Sequence, residues 1–149
     1  MTGDVFRLLD PEIQDLLASE GFREPTPTQE LAIPVLRTGR DALVIAPTGT
    51  GKTEAAVLPV LHEHLTLRAS GKRPPGISIL YVTPLRALNR DLLARLASWG
   101  AALKVDVKVR HGDTSKSERA RQSRHPPDLL ITTPETLQIL FLGDRKSVV

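Results

Sequence analysis

Cysteine is absent from the 149 residues, and aromatic side chains make up only 3% of them. Without cysteine there is no disulfide scaffold and no thiolate-ligated zinc site, and a cytoplasmic setting is the expectation. Long hydrophobic runs are missing too: no stretch approaches the ~18 apolar residues that a membrane span needs. The opening Met1-Thr2-Gly3-Asp4-Val5 lacks the basic and then apolar pattern of a secretory leader. No membrane partner is expected. Internal repeats and low-complexity tracts are also lacking.

What is present is ordinary for a globular chain, with 40% hydrophobic and 25% charged residues. One domain over residues 1–149 is the expectation, burying roughly 70% of the surface of its unfolded chain. The net charge is +3 but is unevenly spread. Residues 1–65 carry five Lys/Arg against ten Asp/Glu, and residues 66–125 carry thirteen against four. A basic middle suits a polyanionic partner, because each neutralised phosphate releases counterions. A merely solvated basic face accounts equally well for charge alone.

Asp10-Pro11-Glu12 before Ile13, Leu16 and Leu17, with Gly21 behind, reads as a short capped helix. A second helix is expected from near Thr28 to Gly39, with Pro34 kinking or breaking it. From residue 41 short apolar runs alternate with helical patterns, the signature of a parallel α/β sheet built from βαβ units. The predicted strands are Ala42–Ala46, Ile77–Val82, Val105–Val109 and Leu129–Thr132. The predicted helices cover 52–68, 85–98, 115–123 and 134–142. Gly71, Pro74, Pro75 and Gly76 make the segment from Ala69 to Gly76 a loop. Ser147-Val148-Val149 reads as a strand just beginning, so the 149 residues are expected to be a fragment.

Ala46-Pro47-Thr48-Gly49-Thr50-Gly51-Lys52-Thr53 lies between a predicted strand and a predicted helix, the setting a phosphate-binding loop requires. Glycines let the backbone curl so that successive N–H groups face one anion, and the following helix adds its positive N-terminal end. In such a loop Lys52 reaches the β- and γ-phosphates of ATP, and Thr53 ligates Mg²⁺ through its hydroxyl. Ala46 stands where the strict pattern has its first glycine.

Beyond this loop the chain resembles domain 1 of superfamily 2 helicases of the DEAD/DEAH type, most of all the Lhr-type large helicases of archaea and bacteria. Such helicases usually show the alanine at the first glycine position. Phe22 and Pro25-Thr26-Pro27-Thr28-Gln29 resemble the adenine-reading Q motif, in which a glutamine amide pairs with the base. Thr83-Pro84-Leu85-Arg86-Ala87-Leu88-Asn89 resembles motif Ia, a grip on the nucleic-acid backbone in which Pro84, Leu85 and Arg86 take part and Arg86 is the phosphate ligand. His111-Gly112-Asp113-Thr114 resembles the family's GD element, carrying Gly112 and Asp113 to the nucleic acid. Two further readings stand beside it, His111 as a packing residue at a strand end and Asp113 as the cap of the helix that begins near Ser115. Thr132-Thr133-Pro134-Glu135-Thr136 resembles motif Ib, where a helix N-terminus meets a phosphate. Thr133 as N-cap, Pro134 at N1 and Glu135 in the first turn also make an ordinary helix start, and both readings can hold.

The resemblance runs from Phe22 to about Leu142. It implies a RecA-like P-loop domain, a mostly parallel sheet flanked by helices and truncated before the Walker B strand is complete. It also implies ATP and Mg²⁺ as cofactors, a single strand of DNA or RNA as partner, and a second RecA-like domain in the parent protein. In the family an Asp-Glu pair on the next strand holds the metal and activates water, and the second domain adds an arginine finger. No Asp-Glu pair occurs in the 149 residues, so they are expected to lack ATPase activity that the parent has. Two alternatives remain open: a translocase motor that does not unwind, and a non-catalytic nucleotide- or nucleic-acid-binding module.

Overall fold

The computed structural model describes residues 4–143, which fall into two compact units, Met1–Arg73 and Pro74–Val149. The predicted strand at Ser147–Val149 lies outside the described residues.

The first unit is helical. A 3₁₀ turn, Val5–Leu8, leads into α1 (Pro11–Ser19), α2 (Pro27–Arg37) and α3 (Lys52–Ala69). Each start has a local cause. Asp10 caps α1 by accepting from the Glu12 N–H, and Thr26 caps α2 by accepting from the Gln29 N–H. Helix α1 ends in a Schellman motif: Gly21 takes a left-handed φ of 82°, its N–H bonds to Ala18, and the Phe22 N–H reaches back to Leu17 at 2.9 Å. Helix α2 runs past Pro34 to Arg37, so of the expected kink or break the break does not occur. The core of this unit is aliphatic, with Ile13, Leu17, Ile33, Ala55 and Leu58 almost completely buried.

The predicted strand Ala42–Ala46 is corrected by the structure: the segment pairs with no other among the described residues, and Leu43 and Ile45 are 85% and 86% exposed. A strand exists through its ladder of inter-strand hydrogen bonds, so β-branched composition without a neighbour leaves only an open chain.

The second unit is a three-stranded parallel sheet with helices. Its elements are β1 (Ile79–Val82), α4 (Arg90–Leu103), β2 (Val107–Arg110), α5 (Lys116–Arg124), β3 (Leu129–Thr132) and α6 (Pro134–Gly143). The strand order is β1-β3-β2, with Ile79 and Val107 both opposite Leu129. Central β3 is buried at every position, as a strand covered on both faces must be, and its sequence is accordingly an apolar run, Leu129 to Ile131, ended by Thr132. The helix predicted over 85–98 divides in two: a 3₁₀ turn at Leu85–Ala87, then α4, because the Asn89 side chain accepts from the Leu92 N–H and starts a new helix. At Gly100 a side chain would collide with the Val105 carbonyl and the Val107 methyl, so glycine there lets α4 lie against the chain entering β2. Trp99, the preceding residue, is fully buried. No helix among the described residues is long and apolar enough to cross a membrane.

Candidate functional site

The predicted phosphate loop, Ala46 to Thr53, lies in the first unit and is tied to the N-terminus of α2. Thr26 Oγ1 donates to the Thr50 carbonyl at 2.7 Å, and Gln29 Nε2 donates to the Gly51 carbonyl at 3.3 Å. Gln29 Oε1 simultaneously accepts from the Thr26 N–H, closing a capping box with the Thr26 hydroxyl and the Gln29 N–H. The Gln29 amide is thus engaged at both ends and is only 2% exposed. One lone pair and one N–H of that amide remain unaccounted for by these bonds. Phe22, held by the Schellman motif, is half-buried.

Within the loop, Gly49 and Gly51 adopt φ of 82° and 77°, the left-handed region that glycine enters without steric cost. Gly51 is the N-cap of α3, which has no side-chain cap. The first-turn N–H groups of α3 therefore lack an intrahelical partner and point toward whatever occupies the loop. A Cβ at Gly51 would also collide with Gln29 Nε2, so this position is fixed twice over. Thr50 Oγ1 donates to the Pro47 carbonyl at 2.7 Å, and Lys52 Nζ donates to the Ala46 carbonyl at 2.6 Å, bridging the loop from end to start. Lys52, Pro47 and Thr48 are exposed, while Ala46 and Thr53 are half-buried.

This architecture fits a nucleoside triphosphate: curled backbone, first-turn helix amides without intrahelical partners, and an ammonium at the mouth. Among the described residues no group of three acidic or histidine side chains could hold a metal alone. A Mg²⁺ ion here would rest on Thr53 and on phosphate oxygens, the usual arrangement for this cation.

The other predicted residues cluster in the second unit. Because β1, β2 and β3 are parallel, the segments leaving them emerge at one edge of the sheet, the carboxyl edge where ligands of open α/β sheets bind. Thr132 joins them: its carbonyl accepts from the Thr83 N–H at 3.0 Å and its hydroxyl donates to the Arg110 carbonyl at 2.7 Å. It is fully buried. Pro84, Leu85 and Arg86 leave β1 on the 3₁₀ turn and are all exposed. Gly112 and Asp113 leave β2 and are exposed.

Asp113 does not cap α5. Ser115 does, accepting from the Glu118 N–H at 3.2 Å, while the Asp113 N–H donates to His111 Nδ1 at 3.1 Å. Thr133 caps α6 as expected, its hydroxyl accepting from the Thr136 N–H at 3.3 Å, and is 3% exposed. Pro134 and Glu135 are exposed. Of the first α6 amides, Pro134 has none, Thr136 bonds to the Thr133 hydroxyl and Leu137 to the Thr133 carbonyl. The Glu135 N–H, in the first turn, has no intrahelical partner.

Three supporting residues escaped the sequence reading. Thr26 carried a signal, since Thr-x-x-Gln before an apolar run is a capping-box pattern. Arg119 carried none: its guanidinium donates to the Thr114, His111 and Gly112 carbonyls at 3.0, 3.1 and 3.0 Å, and so sets the shape of the loop after β2. Thr132 was within the motif Ib wording, but nothing in the sequence marked it as a junction.

Comparison with known proteins agrees with this fold. The model of the DEAD/DEAH box helicase family matches residues 26–149. The chain is 34% identical to the ATP-dependent helicase Lhr-Core of Methanothermobacter thermautotrophicus, over 97% of this chain and 18% of that protein's length. The solved structure of Mycobacterium smegmatis helicase Lhr bound to ssDNA and AMP-PNP superposes with a TM-score of 0.76 at 33% identity, covering 91% of this chain and 18% of that one. A hypothetical ATP-dependent RNA helicase from Sulfolobus tokodaii gives 0.72 at 26% identity, covering 95% and 38%. With a matched family model over most of its length and the parallel α/β architecture of these helicases, the chain belongs to the DEAD/DEAH box helicase family.

Proposed function

We propose that residues 1–149 are the ATP-binding and nucleic-acid-gripping part of an ATP-dependent DNA or RNA helicase of Lhr type. The observation that carries the reading is the phosphate loop, whose two glycines sit at positive φ and whose far end is hydrogen-bonded to Thr26 and Gln29. Such a loop is already curled before any ligand arrives, so little ordering remains to oppose binding.

In this reading the backbone from Ala46 to Gly51 encloses the phosphates, and Lys52 exchanges the Ala46 carbonyl for the β- and γ-phosphates. Thr53 offers its hydroxyl to Mg²⁺, which when bound would neutralise phosphate charge. Phe22 packs beside the adenine, and the remaining N–H and lone pair of Gln29 read its edge. At the carboxyl edge of the sheet Arg86 takes a phosphate of a single strand. Pro84, Leu85, Gly112, Asp113 and the α6 start at Thr133, Pro134 and Glu135 flank that strand. A second RecA-like domain partners this one, and the cytoplasm is the setting. The 149 residues by themselves turn over ATP at a negligible rate, since the Asp-Glu pair with which the family activates water does not occur in their sequence.

Titration of a fluorescent ATP analogue with Mg²⁺, run beside Lys52→Ala, tests this. Saturable binding by the parent chain that disappears in the variant is the expected result. Equal binding by both, or rapid Lys52-dependent turnover by residues 1–149, overturns the corresponding half of the proposal.

A further inference from the structure

The strand-end loops leave unused the most basic helix of the chain. In α5 the inward side is formed by Gln122, 6% exposed, with Glu118 and Arg119 half-buried beside it. Lys116, Ser117, Ala120, Arg121, Ser123 and Arg124 are all exposed, which puts three cations on the outward face, separated by small residues and free of carboxylates. Glu118, on the flank, pairs with Arg121 at 3.4 Å. Among the described residues Lys116 and Arg124 make no ion pair.

The platform beneath these cations is anchored. Gln122 Nε2 donates to the Val109 carbonyl at 3.0 Å, and Arg119 bonds three carbonyls of the loop after β2. From Lys116 to Arg124 the face extends about 12 Å at the rise of an α-helix. A duplex presents roughly seven phosphate charges over that length, at one per ~1.7 Å of its axis. An acidic protein segment is a poorer match, because such partners add apolar anchors and no large hydrophobic side chain of α5 is exposed.

We propose that the outward face of α5 docks the phosphate backbone of a nucleic-acid duplex adjoining the strand held at the sheet edge. The inference rests on the nucleic-acid reading given above. A fixed row of cations suits a stiff, densely charged rod, whereas a flexible single strand is better held by the loops. Helix α5 follows directly from the loop carrying Gly112 and Asp113, so a duplex seated on it lies beside the gripped strand.

The test uses the full-length protein with Lys116→Gln, Arg121→Gln and Arg124→Gln combined, changes that keep helix propensity and touch no core. Arg124→Glu alone serves as a second variant. Fluorescence anisotropy follows a labelled blunt duplex, a single strand and a poly-glutamate probe through a salt series. The triple variant is expected to lose at least about tenfold in duplex affinity, and its salt slope to fall by about 2–3, at ~0.9 per phosphate contact. Single-strand affinity stays within about twofold by the same accounting, and Arg124→Glu gives a partial duplex loss. Unchanged duplex affinity and slope overturn the proposal. So does an equal loss on single strand and duplex, or a loss confined to poly-glutamate. Arg86→Gln separates this from the parent reading: if it leaves single-strand binding intact, the sheet-edge assignment fails whatever α5 does.

Discussion

Replacing Gly51 by alanine perturbs the phosphate loop in two ways that can be measured apart. The residue sits at φ 77°, where a non-glycine residue costs about 1–2 kcal/mol. The new Cβ would also overlap Gln29 Nε2, so the amide must move and its bond to the Gly51 carbonyl is lost. Displacing a buried, doubly bonded amide adds about 1–3 kcal/mol, for a total of about 2–5 kcal/mol. Gly49 provides the control: its φ is 82°, yet a Cβ there meets nothing within 4 Å, so Gly49→Ala loses only the conformational part. Urea unfolding of the single variants, of Gln29→Ala and of the Gly51→Ala/Gln29→Ala double variant closes a cycle. The double variant should be less destabilised than the sum of its singles by about 1–2 kcal/mol, because alanine at position 29 removes the collision. Strict additivity, or a Gly51→Ala cost no greater than that of Gly49→Ala, would refute the reasoning.

Two further outcomes are expected. Arg119→Met should speed hydrogen exchange at residues 111–114 while lowering global stability by about 1–3 kcal/mol, since three carbonyl bonds vanish together; unchanged exchange in that loop would show that the guanidinium does not shape it. His62, on α3, has its pKa lowered from the ordinary 6.5 by burial and then by Arg37. The unfolded chain therefore takes up a proton before the folded one does, so stability is fully present above pH 6.5 and declines as pH falls below it. Unfolding midpoints measured from neutral to mildly acidic pH should fall less steeply in His62→Gln, and an unchanged slope would assign the acid sensitivity elsewhere.

Much of the fold was legible because its signals are local. Asp10, Thr133 and Pro134 announce helix starts through the chemistry of free N–H groups, and the apolar run from Leu129 to Ile131 is what burial on both faces demands. Where the sequence misled, the deciding partner was remote or competed locally. Val105 looks like a strand residue, but its N–H closes the end of α4 on the Gly100 carbonyl, so β2 starts only at Val107. Ala42–Ala46 has strand composition and no neighbour to pair with among the described residues. The glycine-rich turn before α3 was readable as a motif, with Gly49 and Gly51 at positive φ. That Gln29 would lie beneath Gly51, engaged at both ends of its amide, was not, because a side chain's second partner is set by tertiary approach rather than by spacing.

The junction at Thr132 divides the sheet edge into parts that tolerate engineering differently. The ladder ends of β1 and β2 both close on this one residue, through Thr83 and Arg110. Inserting or deleting a residue on the strand side of either partner shifts the register of that strand against β3. Exposed positions beyond them, Leu85 and Arg86 on one side and Gly112 and Asp113 on the other, hang from fixed points. They are accordingly where reporter groups can be attached while the sheet beneath stays in place.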